Sequence, residues 1–214
     1  MSGPVVIGIR RSGYPRRDEM PGVPFDDRGE LRPSSPRTEP TVERLIVLVS
    51  GPPAAGKTTL ATAVAGELGW PLISKDDIKE ALVDALGGPS SELDWSRRVG
   101  GAAMEVLWRL AQRCPRAVLE ANFRAGSERE RDRLQALAAT VVELHCACPA
   151  EELVRRFAAR APTAHAAHPL RALSAELIAA SSRPMAVGRV IEVDTARPVD
   201  VAAVMQQLEA LGVA

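Results

Sequence analysis

Leu45-Ile46-Val47-Leu48-Val49-Ser50-Gly51-Pro52-Pro53-Ala54-Ala55-Gly56-Lys57-Thr58-Thr59 is the stretch that decides how this chain folds. Its five consecutive aliphatic residues read as a strand apolar on both faces, which is what the centre of a parallel sheet requires. The strand runs directly into residues 51–58, which satisfy G-x-x-x-x-G-K-[ST] at every fixed position, and a helical pattern follows from Lys57 to about Leu68. Glycines in that context let the backbone curl so that successive N–H groups face inward. The helix N-terminus adds positive potential, and Lys57 supplies a point charge. Polyphosphate is the natural occupant of such a cradle. Thr58 places a hydroxyl where magnesium needs an oxygen ligand, and Thr59 adds a phosphate contact. Gly51, Pro52, Pro53, Ala54, Ala55, Gly56, Lys57, Thr58 and Thr59 therefore form the expected nucleotide-binding segment.

Outward from this loop, short apolar runs alternate with helical patterns, the signature of a three-layer α/β/α fold around a mainly parallel five-stranded sheet. Further strands are expected over 72–73, 117–120, 140–146 and 190–193. Helices are expected over about 76–86, 94–113, 127–139, 149–161, 174–180 and 199–211, with Ser127 and Glu130 forming a capping box at the start of 127–139. Trp95 and Trp108 read as core. Before residue 44, Pro15, Pro21, Pro24, Pro33, Pro36 and Pro40 interrupt any periodicity, so residues 1–43 read as a disordered arm whose Arg10, Arg11, Arg16 and Arg17 are solvated. Val5 to Ile9 keeps the pattern of an edge strand. Residues 44–214 then make one domain, with a helical lid over about 155–172 in which 162–169 lacks periodicity.

Length and composition agree: 214 residues at 46% hydrophobic content bury one substantial core. The 27 basic and 27 acidic residues balance to a net charge of +0, so no global field holds the protein on nucleic acid or an anionic membrane, and any polyanion site is local. Cys114, Cys146 and Cys148 lack metal-site spacing and suit a reducing compartment, and no apolar run reaches the length of a membrane span. A cytoplasmic protein is expected.

Ser74-Lys75-Asp76-Asp77-Ile78-Lys79 follows the second strand, whose carboxyl end faces the same crevice as the phosphate loop in an open parallel sheet. From spacing alone, one aspartate orients an acceptor hydroxyl and takes its proton, or Ser74 and Asp77 merely cap a helix. Glu120 ends the third strand, where a carboxylate either orders magnesium's hydration shell or pairs with a neighbouring base. Asn122 and Arg124 lie in the following loop, as acceptor or nucleotide contacts or as solvated residues. Arg97 and Arg98 hold an anionic acceptor or simply charge a first helical turn. Arg156 and Arg160 share a helix face beside the lid, and a lid arginine neutralises charge on a transferred phosphoryl group, though exposed arginines are commonly just solvated. His165 and His168 read as lid or solvent-facing residues with no metal.

The runs 51–59, 74–79, Val118-Leu119-Glu120-Ala121-Asn122-Phe123 and 152–160 together resemble the small, AAA-like ATP-binding P-loop kinases grouped around polynucleotide 5′-hydroxyl kinase, the zeta toxins and chloramphenicol phosphotransferase. The resemblance covers most of residues 45–160. It implies ATP and Mg2+ as nucleotide and metal, Asp76 as general base, Asp77 as a cap and Lys79 as a contact to the acceptor. It places Glu120 where these kinases carry an aspartate at the magnesium, and Arg160 and Arg156 at the phosphates. These kinases carry arginine where this chain has Lys79, so bidentate phosphate recognition is not implied there. The implied activity is transfer of the γ-phosphate of ATP to a hydroxyl of a small molecule, a nucleoside or sugar nucleotide, or a polynucleotide end, the last disfavoured by the neutral charge. The alternative is an ATP-hydrolysing regulator without a phosphorylated product. The sequence has no guanine-specifying Asn-Lys-x-Asp run and is short for a ring ATPase. Oligomeric state is left open.

Overall fold

The computed structural model describes residues 43–89 and 92–213. The expected arm and the 5–9 strand lie outside the described residues. The strands are β1 (Leu45–Ser50), β2 (Leu72–Ser74), β3 (Arg116–Glu120), β4 (Thr140–Ala147) and β5 (Arg189–Asp194). The helices are α1 (Lys57–Leu68), α2 (Lys75–Leu86), α3 (Leu93–Ala111), α4 (Glu128–Gln135), α5 (Ala150–Arg160), α6 (Ala175–Ala180) and α7 (Val201–Ala210). All four strand pairings are parallel, in the order β2-β3-β1-β4-β5, so the fold is the expected three-layer one.

Strand β1 is central because it can be: Val47 pairs with Val118 on one side and Val142 on the other, and all six residues are buried. Its odd positions Val47 and Val49 pack under α1 and α7 through Leu60, Val64, Val204 and Leu208. Its even positions Ile46 and Leu48 pack against Leu107, Trp108 and Leu134 of α3 and α4. Burying each such large aliphatic side chain is worth about 1.5–3 kcal/mol. Trp108 is core as expected, tilted against Phe123 at 5.8 Å. Trp95 is only partly buried, beside the small cluster of Val83, Val99 and Ala167, and Arg98 lies over its ring.

Two local expectations need correction. Helix α4 stops at Gln135, short of 139, because Ala138 turns into the left-handed region at φ 47° to bring Leu137 fully inside and lead into β4. The capping box is half formed. Ser127 accepts from the Glu130 N–H at 3.3 Å, but the Glu130 carboxylate accepts from the Arg124 N–H at 2.8 Å instead of reaching back to Ser127. Among the described residues no helix is long and apolar enough to cross a membrane.

Candidate active site

The loop between β1 and α1 is shaped by backbone that only some residues tolerate. Gly51 sits at φ 133°, and a Cβ there would lie 2.6 Å from the Cys146 carbonyl oxygen of β4, so glycine is the residue that lets the loop lean on the neighbouring strand. Ala54 and Gly56 also have positive φ, at 66° and 82°. Gly56 caps α1 with no side-chain acceptor, which leaves the helix's first N–H groups for a ligand. Lys57 is buried and its ammonium folds back to donate to the Pro52 carbonyl at 2.8 Å, while Thr58 and Thr59 are exposed. A Cβ on Gly56 would lie 4.0 Å from Thr195, so the segment after β5 stands beside the loop. Arg156 ties α5 to that segment, donating to Glu152 at 2.6 Å and to the Ala196 carbonyl at 3.0 Å. Arg155 and Arg156 hold half-buried Glu152 down to about 2.

Strand register brings the acids in. Glu120 pairs with Val49 on one side and Ser74 on the other, so the carboxyl ends of β2, β3 and β1 stand abreast where the phosphate loop begins. Glu120 is 2% exposed and accepts from Ser74 Oγ at 2.9 Å. Burial pushes its carboxyl above the usual range, opposed by the Lys57 ammonium and reinforced by Asp76. Burial likewise lowers Lys57, against the pull of Glu120, Cys146 and Asp76, and Arg160 lowers it further. Asp76 is more open and accepts from Lys75 Nζ at 2.7 Å. Burial raises its carboxyl, but Lys75, His168 and Lys57 together outweigh this and hold it below the ordinary range, ionised at neutral pH. Asp76, Glu120 and Arg160 thus all act on Lys57, from three other segments of the chain, while the Arg160 guanidinium rests over the Phe157 ring at 5.2 Å. Cys146 beneath the loop is pushed up to about 12 by burial and stays a thiol.

The remaining expected residues lie less simply. Lys79 is buried and bonded to Ser96 Oγ at 2.7 Å and to the Ala167 carbonyl at 2.6 Å, so its ammonium is turned to the chain itself. Arg124 is clasped by Glu130 at 3.1 Å, and Asn122 is exposed on the same loop. A shallow cleft of about 440 Å³ lined by Arg124, Ser127 and Arg183 opens there, and it contains no residue of the phosphate loop. Arg97 is at the surface, paired with Asp94 at 3.3 Å, away from the four converging groups' hydrogen bonds. His165 and His168 do not face solvent freely: they bond Asp84 at 3.0 Å and Glu80 at 2.9 Å. Among the described residues no cluster of three or more His, Cys, Asp or Glu side chains forms a metal cage.

Sequence reasoning gave Ser74 only a capping role, and it does accept from the Asp77 N–H at 3.4 Å while also holding Glu120. It missed a buried relay under the loop. Ser50 Oγ donates to Glu143 at 2.5 Å and lies 2.8 Å from His145 Nδ1, and the Glu143 carboxylate also accepts from the Met185 and Ala186 N–H groups. The available signal was two polar residues, Glu143 and His145, on one face of an otherwise apolar strand.

A phosphate loop at the carboxyl edge of a parallel 2-3-1-4-5 sheet, with a buried lysine inside it and carboxylates beside it, defines a P-loop nucleotide-binding protein. Residues 46–181 match the family described as AAA domain, and the chain belongs to that family. A structure from Chloroflexus aurantiacus J-10-fl, provisionally described as a kinase, is 32% identical over 78% of this chain and 97% of that one, with a TM-score of 0.67. Shikimate kinase of Aquifex aeolicus VF5 matches 78% of this chain and 98% of its own at 12% identity and a TM-score of 0.51. APS kinase of Mycobacterium tuberculosis, solved with AMPPNP and APS, matches 78% and 98% at 18% identity and a TM-score of 0.51. At those identities the last two share the fold. Comparison with curated proteins gives no match.

Proposed function

We propose that this protein is a phosphotransferase that moves the γ-phosphate of ATP to a hydroxyl group on a small acceptor. The observation that carries the reading is the register that sets Glu120 and the Asp76 end of α2 beside the phosphate loop, where Asp76, Glu120 and Arg160 all act on the buried Lys57. The loop residues from Gly51 to Thr59 bind the phosphates through backbone N–H groups, and Lys57 moves from the Pro52 carbonyl to the phosphate oxygens. Asp76, ionised and half open, orients the acceptor hydroxyl and takes its proton. Arg160 lies over the transferred group and Arg156 fixes the wall beside the nucleotide. The donor set suits magnesium, since Thr58 offers an exposed hydroxyl and Glu120 a carboxylate for its water shell. The bound metal would neutralise charge on the phosphates. Residues 44–214 act as one kinase domain with its lid over about 155–172. The resemblance to polynucleotide 5′-hydroxyl kinase, zeta toxins and chloramphenicol phosphotransferase, and the nucleotide analogue in the APS kinase neighbour, support ATP as donor. Asn122 and Arg124 flank the acceptor side; Lys79 reaches an acceptor only by leaving Ala167, and Arg97 only by leaving Asp94.

The test is incubation with Mg-ATP carrying a labelled γ-phosphate and a metabolite mixture, followed by mass spectrometry of the labelled product. Asp76→Asn should cut transfer by roughly 10²–10⁴-fold while nucleotide affinity changes little. Lys57→Met should remove most of the affinity for Mg-ATP. Hydrolysis without any labelled product would favour the regulatory NTPase instead, and unchanged transfer in Asp76→Asn would remove that residue from the chemistry.

A further inference from the structure

Lys79 lies one helical turn beyond Asp76 on α2, yet it is 6% exposed and its ammonium is spent on the backbone of a distant segment. It donates to the Ala167 carbonyl at 2.6 Å and to Ser96 Oγ at 2.7 Å, and Ser96 on α3 donates to the same carbonyl at 3.0 Å. Ala167 is fully buried against Val83 and Val99, and its N–H donates to His165 Nδ1 at 3.1 Å. That bond makes Nε2 of His165 the donor to Asp84 on α2, at 3.0 Å. His168 reaches Glu80, also on α2, at 2.9 Å. The strap following α5 is therefore fastened to the α2–α3 wall by the carbonyl of one buried residue and by a histidine on either side of it.

This fastening is expensive for mere adhesion. Among the described residues no carboxylate is bonded to the Lys79 ammonium, and burial, then the Lys75 ammonium, lower it to about 8 against the pull of Asp76 and Glu80. An apolar side chain would seal the same contact at less cost, so what the lysine adds is a fixed position for one carbonyl. Ala167 stands seven positions beyond Arg160, and the intervening chain is short and stiff. It begins with a 3-10 turn over Ala161–Thr163 that contains Pro162, and Thr163 Oγ1 donates back to the Arg160 carbonyl at 3.2 Å. Where Ala167 is held sets where Arg160 emerges.

We propose that Lys79 and Ser96 are positioning residues: by latching the Ala167 carbonyl they restrain the end of α5, where the Arg160 guanidinium rests over the Phe157 ring at 5.2 Å, so that Arg160 can close over the phosphate loop, linking the helix that carries Asp76 to the lid. The proposal rests on the phosphotransfer reading for the role of Arg160. Hydrogen exchange on the full-length protein tests the latch itself: Lys79→Met and Ser96→Ala should each raise exchange at residues 164–168, about tenfold or more for Lys79→Met, with α1 unchanged. Ser96→Ala removes one member of the latch with little change of volume and decides the matter if Lys79→Met fails to fold. Turnover of Mg-ATP with the metabolite mixture present tests the consequence. Lys79→Met should lower kcat about tenfold with KM for ATP within about twofold, and the double variant Lys79→Met/Arg160→Ala should be no slower than Arg160→Ala alone. Unchanged strap exchange overturns the latch, and effects that multiply in the double variant overturn its action through Arg160. Absence of wild-type ATP turnover both alone and with the metabolite mixture overturns the phosphotransfer reading, and the positioning role with it, on a measurement separate from the exchange.

Discussion

Gly51 and Gly66 show how differently one residue type can matter within a single turn-and-helix unit. At Gly51 an added methyl would meet the Cys146 backbone at 2.6 Å, and φ 133° is a conformation that side chains resist. At Gly66, inside α1, nothing lies within 4 Å of the same methyl. Gly51→Ala should therefore destabilise the protein by at least about 2 kcal/mol and abolish Mg-ATP binding, whereas Gly66→Ala should stabilise it by about 0.5–1 kcal/mol. Urea unfolding of both variants checks the pair; equal effects would mean the loop relaxes away from β4. The loop was legible in the sequence because local backbone geometry dictates its glycines. The partners of Ser74 and Lys79 were not, because they lie 46 and 88 positions away and only packing brings them together.

Helix ends carry the corresponding lesson for elements. A local cap is within reach of the sequence, and Ser127 reads as one; Ser174 and Asp200, which likewise accept from an N–H three residues on, instead fall inside the expected helices 174–180 and 199–211. A remote cap is not within reach. Arg44, at the threshold of β1, donates to the Leu137 carbonyl at 2.8 Å and to the Ala111 and Cys114 carbonyls at 2.7 and 3.3 Å, so one guanidinium closes the ends of both α3 and α4. A cation at two helix C-termini also meets the negative end of each dipole. Arg44→Ala should cost about 2 kcal/mol, visible as a fall of roughly 4–8 °C in the thermal midpoint for a domain of this size. Arg44→Lys should recover only part of it, since an ammonium cannot fork to three carbonyls. A midpoint within about 1 °C of wild type in Arg44→Ala would show that water caps these ends equally well. The early stop of α4 was hidden for a related reason: its apolar pattern continues to Leu137, and only the demand that this side chain reach the core forces the turn at Ala138.

For the whole molecule, the layer structure and a central β1 follow from strands apolar on both faces, and that much the pattern of residues 45–49 and 117–119 announces, though not the strand order. What no pattern announces is the tension between that core and the charges set at its carboxyl edge. Glu120 is buried, with its carboxyl raised by burial above its unfolded value. A group so raised favours folding most when protonated; its contribution is present below the unfolded pKa and is lost as pH rises through the folded pKa. Asp76 runs the other way, lowered in the folded state and stabilising above its unfolded pKa. Glu120 therefore opposes folding wherever it is ionised. Glu120→Gln, which keeps an acceptor for Ser74 Oγ, should raise the thermal midpoint at pH 7 by roughly 2–4 °C for each kcal/mol recovered. Because protonation of the wild-type carboxyl removes the same penalty, the gap between the two proteins should narrow as pH falls toward 4.5. The same variant should weaken Mg-ATP binding while leaving metal-free binding less affected. Calorimetry across that pH range, with and without Mg-ATP, measures all three; a variant less stable than wild type at pH 7, or a gap that widens on acidification, would mean that the pull of Lys57 outweighs burial at this edge of the sheet.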